Sequence, residues 1–336
     1  MDRRGICALG NLIVDLLYQA ERYPHRGELT QIKGQRGMAV GGLACNVPLS
    51  LAMLDSGLPI MVCGVLGEDA EGDFIRGRFR AHPNIDTSRI LSGEETAYTL
   101  VINDRESRER TFFTSCGSGS HLDDESIDLD KLPARQLHAG YILLNEGLDR
   151  EDKEYGTRMA RLLRKAQLAG IRTSVDVVTE RGDRHARLVP PALKYADDVI
   201  INELEAQQIT GLTLRGPDGG LAEENLPGAL EALKKFGVAR WAVVHSPEGA
   251  WGLDEAGRFH SLPSLCLPSG YIKGTTGAGD AFAAGVLHAA HEGGGLVDAL
   301  RLGTAAAARS LGEEDSYSGI LPLDETLAFY HRLGGK

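Results

Sequence analysis

Gly274-Thr275-Thr276-Gly277-Ala278-Gly279-Asp280-Ala281-Phe282-Ala283-Ala284-Gly285 is a glycine-rich turn running directly into a helix of small residues. Glycines let the backbone approach a ligand closely, and the first N–H groups of a helix have no intrahelical acceptor. Together with the positive end of the helix dipole, these donors make a site for an anion, phosphate above all. The stretch is not a Walker A loop, because no Lys-Ser/Thr follows its last glycine, and it is not GxGxxG. Asp280 stands at the mouth of the turn. A carboxylate there could take a proton from an incoming hydroxyl while the amides hold a phosphoryl group. The plainer alternative makes Asp280 a helix cap and the glycines a tight turn.

Outward from this stretch, short β-branched runs alternate with helical patterns, the signature of parallel βαβ construction. Strands are expected at 60–64, 141–144, 173–178, 199–201 and 241–244, each a nearly continuous apolar run suited to burial on both faces. Helices are expected at 43–54, 69–81, 149–169 (closing at Gly170), 228–236, 280–292 and 296–311. The resulting fold class is α/β: a doubly wound, mostly parallel central sheet flanked by helices, in one domain over 1–336. Two segments, about 12–40 and 96–116, instead alternate polar and apolar residues, as in Tyr98-Thr99-Leu100-Val101-Ile102-Asn103, with no helix directly after. They are expected to form a small separate sheet over one edge of the main one. The segment 214–225, rich in Gly, Pro and acids, reads as a surface loop.

Composition narrows the function classes. The 336 residues are 42% hydrophobic and carry a net charge of −11, an ordinary core-forming balance with an acidic surface. That balance excludes disorder and argues against nucleic acid or an anionic membrane as a partner. The 42 glycines exceed the usual ~7% without any three-residue period. No apolar run approaches the ~18–20 residues of a membrane span, and the opening run Gly5–Leu9 is too short for a signal-peptide core. The five cysteines are dispersed, with no CxxC pair or zinc spacing, so buried free thiols in a reducing cytoplasm are expected, with Cys45 or Cys116 as a nucleophile the lesser alternative.

Four motifs occur in one order along the chain. They are Gly41-Gly42-Leu43-Ala44-Cys45-Asn46, Gly64-Val65-Leu66-Gly67-Glu68-Asp69-Ala70-Glu71-Gly72, Asn202-Glu203-Leu204-Glu205 and the turn at 274–285. Together they resemble the signature of the ribokinase-type carbohydrate kinases, the PfkB family. The resemblance implies a ribokinase-like fold in which the small sheet is a lid over the sugar, often also a dimer contact. It implies an ATP- and Mg²⁺-dependent transfer of a phosphoryl group to a sugar hydroxyl. Asp280 would be the base, and Gly277, Ala278 and Gly279 the anion hole. Asp15, Gly41, Gly42, Asn46 and Glu146 would face the sugar, with Asp176 a further candidate. Asn202, Glu205, Thr275, Ser246 and Gly249 would face the nucleotide, and Glu205 would hold Mg²⁺ through water. Asn202 and Glu205 also have the spacing of a capping box, and spacing alone leaves both readings open.

The sequence departs from the family pattern in places. Gly274 replaces an aspartate that helps form a monovalent-cation site in several members, leaving cation activation in doubt. Leu43 replaces a lysine found in some members, Val178 an asparagine, and Val244-His245-Ser246-Pro247-Glu248-Gly249 keeps only part of a T-x-G-x-x-G stretch. Arg105, Arg108 and Arg110, interleaved with Glu106 and Glu109, either meet an acidic or phosphorylated sugar or form a solvated hairpin tip, the latter being the simpler reading. Two rivals stand beside a sugar kinase: a nucleoside kinase, for which Tyr18 and Tyr23 are the nearby aromatics, and a non-catalytic sugar sensor that has lost ATP use.

Overall fold

A computed structural model describes residues 3–107, 109–180 and 182–335. The strands, in chain order, are β1 (Ile6–Leu9), β2 (Ile13–Ala20), β3 (Ile32–Gly41), β4 (Ile60–Gly67), β5 (Ile85–Gly93), β6 (Ala97–Asp104), β7 (Arg110–Ser115), β8 (Gln136–Ile142), β9 (Glu151–Asp152), β10 (Gly156–Thr157), β11 (Arg172–Val177), β12 (Asp198–Asn202), β13 (Trp241–Ser246), β14 (Gly249–Leu253) and β15 (Phe259–Pro263). The helices are α1 (Leu43–Leu54), α2 (Ala70–Arg80), α3 (Arg158–Leu168), α4 (Arg184–Leu193), α5 (Glu203–Thr210), α6 (Leu226–Lys235), α7 (Ala278–His291), α8 (Leu296–Ser310) and α9 (Leu323–Arg332). The main sheet has the order β15-β14-β13-β12-β11-β8-β1-β4-β5. From β13 to β5 every pairing is parallel, and β14 and β15 are added antiparallel at one edge.

Successive strand residues face opposite sides, so an apolar run feeds two cores. Ile200, Trp241 and Val243 pack with α1, α7 and α8 on one face, while Val199, Ile201, Ala242 and Val244 pack with α3, α4, α5 and α6 on the other. This is the doubly wound α/β architecture expected. The segments 12–40 and 96–116 supply the strands of a second sheet, β3-β2-β6-β7, in which β2 and β6 run parallel and the outer pairings are antiparallel. Among the described residues no helix is long and apolar enough to cross a membrane.

Three expectations are corrected. The strand expected at 141–144 lies earlier, at Gln136–Ile142, because the backbone turns at Tyr141 (φ 55°) and Leu143 (φ 85°). The helix expected at 149–169 begins only at Arg158; the preceding residues form the β9–β10 hairpin, and Thr157 caps α3 by accepting from the Ala160 N–H. Of the cysteines, Cys7, Cys45 and Cys63 are buried, but Cys116 is half-buried and Cys266 exposed.

Helices α7 and α8 approach closely through glycines. A Cβ on Gly285 would lie 2.6 Å from the Leu302 carbonyl and the Gly303 nitrogen, closer than real Cβ atoms come. Gly285→Ala should therefore force the two helices apart. The expected cost is about 1–3 kcal/mol, read as a lower urea midpoint at unchanged slope.

Candidate active site

The carboxyl ends of β8, β11, β12 and β13 converge with the start of α7. Gly277 is the N-cap of α7, in the left-handed region at φ 77°, and a Cβ on it would lie 2.1 Å from Ser316 Cβ. Ala281 N–H closes the first helical bond to the Gly277 carbonyl at 2.8 Å, while Gly279 and Asp280 precede it and their N–H groups find no backbone acceptor. The Ala278 N–H makes a long 3.4 Å bond to the Thr275 carbonyl, so the open donors of the turn are those of Gly279 and Asp280.

Asp280, in the first turn of α7, is 3% exposed. Its Oδ2 accepts from Asn46 Nδ2 at 2.8 Å and from the Tyr141 hydroxyl at 2.9 Å. Its Oδ1 is buried with no partner. Burial pushes the Asp280 carboxyl up to about 6, against the two donors, which pull it down. It therefore remains ionised at neutral pH, with one oxygen anchored and the other unsatisfied. Asn46 is itself held, its Oδ1 accepting from Ser316 Oγ at 2.7 Å.

Tyr141 had no sequence signal. It sits in a bulge of β8, where Val175 opposes Ala139 but Val177 opposes Ile142, and it takes a left-handed conformation rare for a bulky residue. Asn145 braces that backbone, donating to the Gly140 carbonyl at 2.6 Å and the Tyr141 carbonyl at 3.0 Å. The bulge is what turns the phenol toward Asp280. Glu146, in contrast, is exposed in the following turn, beside the Cys116 thiol that it helps to push up. Burial raises the Cys45 thiol as well, so neither cysteine is a ready thiolate.

Two cavities flank the turn. The larger, about 620 Å³, is lined by Asn202, Ser246, Gly249, Thr275, Ala278 and Gly279 together with an apolar wall that includes Phe282 and Leu311. His245 also lines it, stacked on Phe282 with ring centroids 4.8 Å apart, and burial pushes it down to about 4, so it is a neutral face. The smaller, about 120 Å³, is lined by Asp15, Asn103, Arg110, Phe112, Lys273, Thr276 and Ser316, among others. Asp15 lies in β2; burial pushes its carboxyl up to about 6. Gly41 packs on it so closely that a Cβ would lie 2.8 Å from Asp15 Oδ1. Gly42, the N-cap of α1 at φ 79°, lies against the Asn11 carbonyl. Phe112, not Tyr18 or Tyr23, is the aromatic that lines this cavity.

Asn202 and Glu205 form the full capping box. Asn202 Oδ1 accepts from Glu205 N–H at 2.9 Å, and Glu205 Oε2 accepts from Asn202 N–H at 2.9 Å. Glu205 Oε1 also accepts from Thr179 at 2.7 Å, and burial pushes this carboxyl up to about 7. Asp176, buried and repelled by Glu205 and Asp280, is raised well above the carboxylate range. These acids sense one another yet do not converge: among the described residues no group of three or more His, Cys, Asp or Glu could hold a metal ion. Gly274 lies against the carbonyls of Glu313 and Glu314, with 3.0 and 3.1 Å left for a Cβ. At the hairpin turn Arg105 is exposed, and Arg108 lies outside the described residues. Arg110 departs from the solvated-tip reading, donating to Thr276 Oγ1 at 3.0 Å.

A doubly wound sheet with its cavities at the carboxyl ends of the strands, divided by the N-terminus of α7, defines an α/β fold of the switch-point type. The chain matches the pfkB family carbohydrate kinase model over residues 3–322 and belongs to that family. It is similar to a ribokinase of Haemophilus influenzae, at 25% identity over 97% of this chain and 98% of the relative. Among solved structures it is similar to Arabidopsis thaliana ribokinase complexed with ribose and ATP, at TM-score 0.78 and 19% identity, covering 97% and 98% of the two chains. It is also similar to a Methanocaldococcus jannaschii nucleoside kinase, at TM-score 0.73 and 16% identity, covering 99% of each. Those two structural likenesses concern the fold.

The Tyr141 hydroxyl favours the charged form of Asp280, so removing it should raise the carboxyl pKa further above about 6. Carboxyl-resolved NMR titration of Tyr141→Phe should report an upward shift for Asp280; an unchanged midpoint would show that this hydrogen bond carries no charge stabilisation.

Proposed function

We propose that the protein is an ATP- and Mg²⁺-dependent kinase that phosphorylates a hydroxyl of a small sugar or sugar derivative. The observation that carries this reading is Asp280: buried, ionised near neutrality, anchored through Oδ2 and left with an unpartnered Oδ1 beside the donors of the α7 turn. In this reading the acceptor hydroxyl gives its proton to Asp280 Oδ1 as its oxygen bonds to the γ-phosphorus and the bond to the β–γ bridging oxygen breaks, leaving ADP. The N–H groups of Gly277, Ala278 and Gly279 hold the phosphoryl oxygens, each donor worth a few kcal/mol at most.

The sugar occupies the smaller cavity. Asp15 accepts from its hydroxyls, while Gly41 and Gly42 bring the backbone near; Glu146, exposed beside Cys116, is not among the residues that line this cavity. Asn46, whose amide is committed to Asp280 and Ser316, acts on the acceptor by positioning the base. The nucleotide occupies the larger cavity, against Thr275, Ser246, Gly249, Asn202 and His245. Mg²⁺ neutralises phosphate charge when bound. The dispersed acids fit an ion carried in by the phosphates and reached through water by Glu205, rather than one caged by side chains. The small sheet is proposed as the lid that excludes water from the transfer. Its exposed Ile32 (52%) and Phe113 (50%) support a homodimer through this face, and the free buried thiols support a reducing, cytoplasmic setting. A nucleoside acceptor is the second reading, favoured by the Phe112 ring in the smaller cavity.

Asp280→Asn should lower kcat by about 10²–10⁴-fold while acceptor binding by calorimetry stays within about threefold; near wild-type kcat would falsify the assignment of the base. Because the wild-type reaction needs ionised Asp280, kcat/KM should fall as pH drops through about 6.

A linked stability effect is expected. A carboxyl raised from 3.8 to about 6 binds protons more tightly in the native state, so stability falls as pH rises from about 4 to about 6 and the cost is complete above that. Asp280→Asn removes the cost. It should be about 1–3 kcal/mol more stable than wild type in urea at pH 8, with no such gain at pH 4.

A further inference from the structure

We propose that Arg110 is a charge clamp on the phosphoryl group as it crosses between the two cavities. The inference rests on the kinase reading and adds a catalytic side chain to it. Arg110 opens β7 in the small sheet and reaches 166 positions along the chain to donate from Nη1 to Thr276 Oγ1 at 3.0 Å. Thr276 immediately precedes Gly277, the N-cap of α7. Thr275 lines the larger cavity and Thr276 the smaller, so the guanidinium is seated at the partition across which a phosphoryl group would pass.

Among the described residues, no lysine or arginine lines the larger cavity, and Arg110 and Lys273 are the two that line the smaller. Lys273 is committed to Glu313, at 3.0 and 3.1 Å from its two carboxylate oxygens. Arg110 has no carboxylate partner among the described residues. A guanidinium carries five N–H donors in a planar fork, and one bond to Thr276 leaves four. The surroundings are acidic: Asp176, Glu205 and Asp280 interact by charge on the far side of the turn. A phosphoryl group in flight carries charge on three equatorial oxygens, and backbone donors with a helix dipole worth about half a charge leave much of it unmet. An unpaired arginine at that position meets the deficit.

The competing assignment, that Arg110 binds an anionic substituent of the acceptor, fits less well. Asp15, Glu314 and Asp315 also line the smaller cavity, so acids outnumber bases there among the described residues.

The test uses the full chain with Arg110→Ala, Arg110→Lys and Thr276→Val. Calorimetry with Mg²⁺ would measure ADP alone and ADP with aluminium fluoride, which mimics a planar phosphoryl group. For Arg110→Ala, ADP affinity should stay within about twofold, and ADP–aluminium fluoride affinity should fall about 10²-fold. Arg110→Lys should recover part of that loss, and Thr276→Val, which removes only the seat, should lose less. With an acceptor turned over by the wild type, kcat should fall and acceptor KM hold. Equal aluminium fluoride affinity in Arg110→Ala, or a raised acceptor KM at unchanged kcat, overturns the clamp while leaving the kinase reading intact. Failure of the wild type itself to bind ADP overturns the kinase reading and the clamp with it. Arg110 is exposed on an outer strand, so the variants should keep the wild-type melting temperature.

Discussion

The carboxylate of Asp280 is buried, and two donors from distant parts of the chain converge on one of its oxygens. Asn46 comes from α1 and Tyr141 from the bulged end of β8, 234 and 139 positions away in sequence. A buried charge persists only when hydrogen-bonded, so α1, β8 and α7 must keep their mutual positions for Asp280 to stay ionised. The glycines of α7, the left-handed N-cap Gly42 and the brace that Asn145 gives the Tyr141 backbone all serve that convergence. The arrangement is costly, as the raised pKa shows, and the cost lies where reactivity is proposed.

A second constraint couples the two sheets. Asp69, N-cap of α2, accepts from Gly72 N–H at 2.7 Å and from both the N–H and the hydroxyl of Thr96, at 2.7 and 2.6 Å. Burial opposes ionisation here, yet the Thr96 and Gly72 bonds prevail and hold this carboxyl below its ordinary range. Thr96 immediately precedes β6, so the second glycine motif is a joint between the main sheet and the small one. In the folded chain Asp69 of this motif is the fitting that sets where β6 begins.

Sequence reading reached the elements whose physics is local. Continuous apolar runs gave the parallel strands, Gly277 to Asp280 gave the helix start, and the Asn202–Glu205 spacing gave a capping box that the structure contains. It failed where tertiary geometry overrides local pattern. Nothing in Gly140-Tyr141-Ile142 marks a bulge, because the extra residue exists only relative to β11. Glu146, with the right chemistry at nearly the right place, is exposed, whereas Tyr141, read as ordinary strand filling, touches the key carboxylate. Arg110 was masked by its neighbours: alternating Arg and Glu suggest a solvated tip, and the hydrogen bond to Thr276 is what separates it from Arg105.

A chain of net charge −11 can hold the proposed anion site without any basic surface. In the proposed site positive potential is local, built from backbone dipoles at a helix start and the Arg110 side chain delivered from the small sheet. Such a site has a consequence that a lysine-lined one lacks. Its backbone donors are fixed by the fold, while Arg110 belongs to the small sheet, whose β6 is tied to α2 by the Asp69–Thr96 joint. Full electrostatic complementarity to an anion therefore requires both sheets in register, which ties the strength of the site to the seating of the small sheet over the smaller cavity. In the proposed kinase, discrimination between transfer to an acceptor and transfer to water then follows from the same seating of the small sheet that assembles the site.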